Sequence, residues 1–200
     1  MRIVLVTSIW VIALVIGFIS MTNYELTPGE PATPPETWPK AATDIVSPKS
    51  GQPTLVVFAH PKCPCTRATI SEFERLMAAN QNRLKAHVIF CKPADVPENW
   101  TQTDLWNHAQ AVPGTTVTAD DGGKLAELFQ AKTSGTALLY DEKEQLIFRG
   151  GLTSSRGHEG DNIGSATITA LLNGHRARHK TSPVFGCGLQ NGANQIQKAR

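Results

Sequence analysis

The chain is short of charge of either sign, of repeats and of paired metal-ligand motifs, and each shortage excludes something. Charged residues make up 18% of its 200 residues and the formal net charge is +2. That balance lacks the strongly basic face of a nucleic-acid-binding domain, so no nucleic-acid partner is expected. No internal repeat is visible, which removes solenoids and propellers. The chain has four cysteines, and no two of them are spaced Cys-x-x-Cys, which removes the standard zinc knuckle. Six histidines are a modest supply, so their placement decides whether they matter.

The missing charge is most informative near the start. From Ile3 to Met21 no residue is charged, and a run of about 20 apolar residues is what a helix needs to cross a bilayer. Arg2 lies before it, and the first charges beyond it are Glu25 and Glu30. The positive-inside rule then puts the N-terminus in the cytoplasm and the rest of the chain outside. Residues 1–22 read as a retained, single-pass inner-membrane anchor, because Phe18 and Ser20 make a poor cleavage site for a signal peptide. Either reading exports the remainder of the chain to the periplasm, where disulfide chemistry is available to the cysteines.

Residues 23–52 carry Pro28, Pro31, Pro34, Pro35, Pro39 and Pro48. Such a stretch favours extended, polyproline-like backbone and reads as a semi-rigid tether that holds the domain away from the lipid. Residues 53–174 read as one α/β domain, and 175–200 as a polar tail with an apolar knot, Pro183-Val184-Phe185-Gly186-Cys187.

Within the domain, Thr54 to Phe58 is a short β-branched run expected as a buried strand. Pro61 and Pro64 make Ala59 to Cys65 a turn, and Thr66 to Ala79 has helical spacing. Leu84 to Cys91 and Thr115 to Thr118 read as further strands, with a short helix near Trp106 and another over Gly123 to Ala131. Thr136–Tyr140 and Gln145–Arg149 flank a polar turn, the pattern of a hairpin. Asp161 is the expected N-cap of a helix from Asn162 to Asn173, closed by Gly174. Strands separated by helices imply a mostly parallel sheet with an antiparallel edge hairpin and helices on both faces, a three-layer sandwich.

The chemistry centres on His60-Pro61-Lys62-Cys63-Pro64-Cys65, between a buried strand and a helix start. A sulfur there meets unpaired backbone N–H groups and the positive end of the helix dipole, which favour thiolate over thiol. Lys62 and protonated His60 would act in the same direction, and a second thiol close by can resolve a mixed disulfide. The reading is an exported thiol–disulfide oxidoreductase in which Cys63 attacks and Cys65 resolves, with protein thiols or disulfides as partners. Cys91 reads as an inert core thiol. Cys187 is either a resolving partner for Cys63 or an anchor for the tail. The glycine-rich stretch Arg149 to Asn162 is either a flexible connection or a loop bringing Arg156 and His158 over the cysteines. The basic run Gly174 to Lys180 reads as a solvated helix exit.

The strand–loop–helix with Phe58, Pro61, Cys63, Pro64 and Cys65, followed by the 136–150 hairpin, resembles the thioredoxin-like superfamily. The resemblance covers Thr54 to Asn173. Cys-Pro-Cys together with Ser155-Arg156-Gly157-His158, Gly160-Asp161-Asn162 and Pro183 to Cys187 is similar to bacterial RedB-type proteins, which implies a redox function. Three departures stand out. The cysteines are one residue closer than in the family, its cis-proline position falls near Gly135, and Val57 takes the place of a buried acid on the first strand. No cofactor is expected on this reading. An alternative is a copper-binding or copper-delivery module, because thiolates select Cu(I) and thioredoxin-fold copper carriers use two cysteines and a distant histidine. Its ligand set would be Cys63, Cys65, His60 and His158. A further alternative is a redox-inert interaction domain that shares only the fold.

Overall fold

The computed structural model describes residues 2–48, 51–177 and 179–189. The first element, α1 (Arg2–Leu26), has mean hydropathy 2.7 over its most apolar window and no buried residue. At 1.5 Å per residue its 25 residues span roughly 37 Å, so it is long and apolar enough to cross a membrane. It runs four residues past the expected end of the anchor.

The domain continues as β1 (Thr54–Ala59), α2 (Pro64–Ala79), β2 (Lys85–Lys92), α3 (Asp104–Ala111), β3 (Thr115–Asp121), α4 (Lys124–Leu128), β4 (Ala137–Tyr140), β5 (Leu146–Gly150) and α5 (Ile163–Leu172). One five-stranded sheet has the order β3-β2-β1-β4-β5. The first three strands are parallel, and β4 and β5 run antiparallel beside β1. The centre is β1, whose six residues are all buried. This is why it reads as continuous apolar sequence rather than alternation.

Alternate β1 residues face two cores. Leu55, Val57 and Ala59 join Ile70, Phe73 and Leu76 of α2, Leu105 and Ala109 of α3, and Ile168 of α5. Val56 and Phe58 join Leu125 and Ala126 of α4, Phe129, and the edge-packed rings of Trp38 and Tyr140. Helices therefore cover both faces, as expected.

The second core corrects the reading of the proline-rich segment. Trp38, Ala42 and Val46 are buried in it, with Trp38 3% exposed. Backbone bonds from Trp38 N–H to the Glu144 carbonyl and from Leu146 N–H to the Glu36 carbonyl stitch the segment to the hairpin. Prolines set local backbone; they do not prevent apolar residues between them from packing. Residues 29–46 line the domain instead of standing off from it.

At α5 the cap is Asn162, not Asp161: its side chain accepts from the Ser165 N–H at 2.8 Å. The tail is also more structured than its polarity suggests. After Gly174 the chain returns along β5 through an Arg149–Thr181 bridge and forms a strap, residues 181–189, across the C-terminal end of β1. Arg178 of the basic run and residues 190–200 of the tail lie outside the described residues.

Candidate functional site: three sulfurs at the start of a helix

The chain leaves β1 at Ala59 and turns through His60 to Cys63, the N-cap of α2, with Pro64 at the first helical position. Proline suits that position because its missing N–H would have no intrahelical partner there. Hydroxyls lock the turn. The His60 N–H donates to Ser134 Oγ at 2.9 Å, Thr66 Oγ1 donates to the His60 carbonyl at 3.0 Å, and the two hydroxyls lie 2.8 Å apart. Sequence reasoning misses Ser134. Its one signal is position: it precedes Gly135, whose φ of +91° occupies the place where the resemblance implied a cis-proline, and the described residues contain no cis peptide.

The strap meets the turn from the other side. Ser134 N–H donates to the Cys187 carbonyl at 2.8 Å, Leu189 N–H donates to the Lys132 carbonyl at 2.9 Å, and Thr133 pairs antiparallel with Gly188. Val184, Phe185 and Leu189 of the strap are buried. Gly186 is required by close approach: a Cβ there would sit 1.9 Å from the Ser134 carbonyl oxygen.

This arrangement brings Cys187 Sγ to 2.6 Å from Cys63 Sγ. All four cysteines are unbridged. The neighbouring Cys187 and then Cys65 sulfurs draw the Cys63 thiol below its ordinary value against the effect of burial, making Cys63 the most acidic thiol of the group. Donation to Cys63, and then burial, push both Cys65 and Cys187 above the ordinary thiol value. Cys63 is 2% exposed and Cys65 8%, whereas Cys187 is partly exposed. Cys91 is buried on β2, and burial followed by the nearby Asp120 charge raises its thiol to about 12, in keeping with an inert core residue.

The predicted neighbours divide. His60 is at the turn, but burial lowers its pKa, so it is neutral and supplies no positive charge at neutral pH. Its Nδ1 accepts the Lys62 N–H at 3.1 Å. The Lys62 ammonium lies over the Trp100 ring, 3.8 Å from its centroid. The largest causes acting on Cys63 are the two thiols and burial, and the Cys63 charge in turn raises His60 against the larger effect of its burial. Arg156 does reach the site: Nη1 donates to the Gly186 carbonyl at 2.6 Å, and its charge lowers both Cys65 and Cys187. Its Nε and backbone N–H donate to the Tyr24 and Glu25 carbonyls at the end of α1. His158 is exposed, and its N–H makes a local bond to the Ser155 carbonyl. Among the described residues no three His, Cys, Asp or Glu side chains are grouped as a metal site, so the four proposed copper ligands do not form one.

Glu72, a polar position in the helical spacing of α2, is buried rather than solvated. It accepts the Gly160 N–H at 2.7 Å and the Asn162 side-chain amide at 3.3 Å, and pairs with Arg75. It pins the glycine-rich loop to α2.

A β3-β2-β1-β4-β5 sheet with a cysteine turn between its central strand and the following helix is the thioredoxin-like fold. No family model and no curated protein matches the chain. Solved structures do. An uncharacterized conserved protein from Geobacillus kaustophilus is 21% identical with a TM-score of 0.58, covering 84% of this chain and 94% of that one. A hypothetical protein from Sinorhizobium meliloti 1021 is 20% identical with a TM-score of 0.60, covering 84% and 96%. A thioredoxin-like protein in its oxidised form is 12% identical with a TM-score of 0.48, covering 73% and 97%. The first two share this fold over most of their length.

Proposed function

We propose that the chain is a membrane-anchored, extracytoplasmic thiol–disulfide oxidoreductase with Cys63 as its reacting thiolate. The observation that carries this reading is the placement of the Cys63 sulfur at the N-cap of α2, 2.6 Å from a second cysteine sulfur. Exchange needs a thiolate, a neighbouring sulfur that can take over the bond, and a leaving sulfur of low pKa. The helix start and the adjacent Cys187 sulfur meet these needs. The apolar α1, with Arg2 as its first residue and no other positive charge in it, supports a periplasmic placement through the positive-inside rule. The partners are protein thiols or disulfides. The cysteine turn, Arg156 and the strap, which lie in the motifs similar to RedB-type proteins, support a redox reading of this site.

The test is reduction of a protein disulfide by full-length protein in detergent micelles, with a dithiol as electron source. Wild type is expected to accelerate it and Cys63→Ser to fall to the background rate. Equal rates for the two proteins would overturn the proposal.

A further inference from the structure

The reading of Cys63 as the thiolate leaves open which sulfur completes the redox pair and which one the partner touches. Sequence proximity favours Cys65, two residues away. Geometry favours Cys187, which is 124 residues away in sequence and 2.6 Å away in space. A disulfide bond is about 2.05 Å long, so a small movement of the strap closes it. A Cys63–Cys65 bond would close a small ring across Pro64, in which the backbone of Cys63 is held as an N-cap.

We infer that Cys63 and Cys187 form the working disulfide, with Cys187 the partner-facing sulfur and Cys65 outside the couple. This rests on the thiol–disulfide reading of the site. Three features of the site support it. First, the strap is preset against the cysteine turn by the Ser134–Cys187 and Leu189–Lys132 backbone bonds, and Arg156 holds the Gly186 carbonyl, so the Cys187 sulfur is aimed before any reaction. Second, exposure is graded: Cys63 is 2% exposed and Cys65 8%, while Cys187 is the partly exposed member. Third, Cys63 is the better leaving group, because its sulfur sits at the N-cap of α2, where the helix start favours thiolate.

The exchange with a protein dithiol is then balanced. A partner thiolate attacks Cys187 Sγ, the Cys63–Cys187 bond breaks, and its electron pair stays on Cys63 as thiolate. The partner is now joined to Cys187. Its second thiolate attacks its own bound sulfur and releases Cys187, which takes up a proton. The partner leaves as a disulfide, two electrons remain on the chain's two sulfurs, and the partner's other proton goes to solvent. The reverse sequence reduces a protein disulfide.

The experiment uses full-length protein in detergent micelles, oxidised with a small disulfide and mapped without reduction. Because one tryptic peptide, residues 63–67, carries both cysteines of the turn, the map is repeated on Cys65→Ser. The expected result joins the Cys187 peptide to the 63–67 peptide in wild type and in Cys65→Ser, and loses that link in Cys63→Ser. An internal Cys63–Cys65 link in wild type overturns the inference. Oxidised Cys65→Ser is then given limiting N-acetylcysteine and quenched with acid. The adduct is expected on Cys187, with Cys63 left open to alkylation; an adduct on Cys63 overturns the assignment. If disulfide reduction depends on Cys63 but the adduct sits on Cys63, this inference alone fails. If reduction is unaffected in Cys63→Ser, the functional reading fails as well.

Discussion

Arg156 joins the end of the apolar helix to the strap: its Nη1 donates to the Gly186 carbonyl at 2.6 Å while its Nε donates to the Tyr24 carbonyl at 3.2 Å. The guanidinium also lies over the Tyr24 ring, 5.0 Å from its centroid. Backbone at the end of the apolar helix and the residue before Cys187 thus share one cation, which puts the sulfur site on the side of the domain that meets this helix.

That cation lowers Cys65 and Cys187 against the hydrogen bonding and burial that raise them. Arg156→Ala is therefore expected to move the pH profile of Cys187 alkylation in the reduced protein to higher pH. Arg156→Lys keeps the charge without the fork, so it should restore much of the profile. An unchanged profile in Arg156→Ala would show that the charge does not act on the strap sulfur.

Trp38 separates a packed segment from a spacer. Its ring lies edge-on to Phe129 and Tyr140, both at 5.2 Å between centroids. Trp38→Ala should destabilise the domain by about 3–5 kcal/mol, measured by denaturant unfolding. A solvated tether would give a change near zero.

His60 supplies a pH dependence of stability. Burial holds its pKa below the ordinary 6.5, so the folded chain keeps it neutral while the unfolded chain binds a proton as pH falls through 6.5. Its contribution is complete above the unfolded value and is lost on acidification below it. The melting temperature should therefore drop between about pH 7 and pH 5, and His60→Asn, which retains an acceptor for the Lys62 N–H, should flatten that slope. A slope equal to that of wild type would assign the effect to other groups.

Much of the domain is legible in the sequence because its signals are local. The continuous apolar β1, the helical spacing after Pro64 and the polar turn at 141–144 each report their own element. The cysteine turn is legible for the same reason. What escapes is non-local. The strap meets Cys63 across 124 residues, and a polar tail with one apolar knot gives no sign of where the knot docks. Pro28 to Pro48 advertise extended backbone, and only Trp38 hints at the packing between them. Adjacency assigns Lys62 and His60 to the thiol, whereas a neighbouring ring claims one and burial neutralises the other. Glu72 has the spacing of any surface carboxylate on a helix, and only the return of the glycine-rich loop buries it.

The most direct test is the thiolate itself. Ultraviolet thiolate absorbance of the reduced full-length protein, titrated with acid and taken as wild type minus Cys63→Ser, reports the ionisation of Cys63 whether or not a reagent can reach it. The account predicts a thiolate that persists below the ordinary 9.0 and is still present at neutral pH. A transition at or above 9.0 would contradict it.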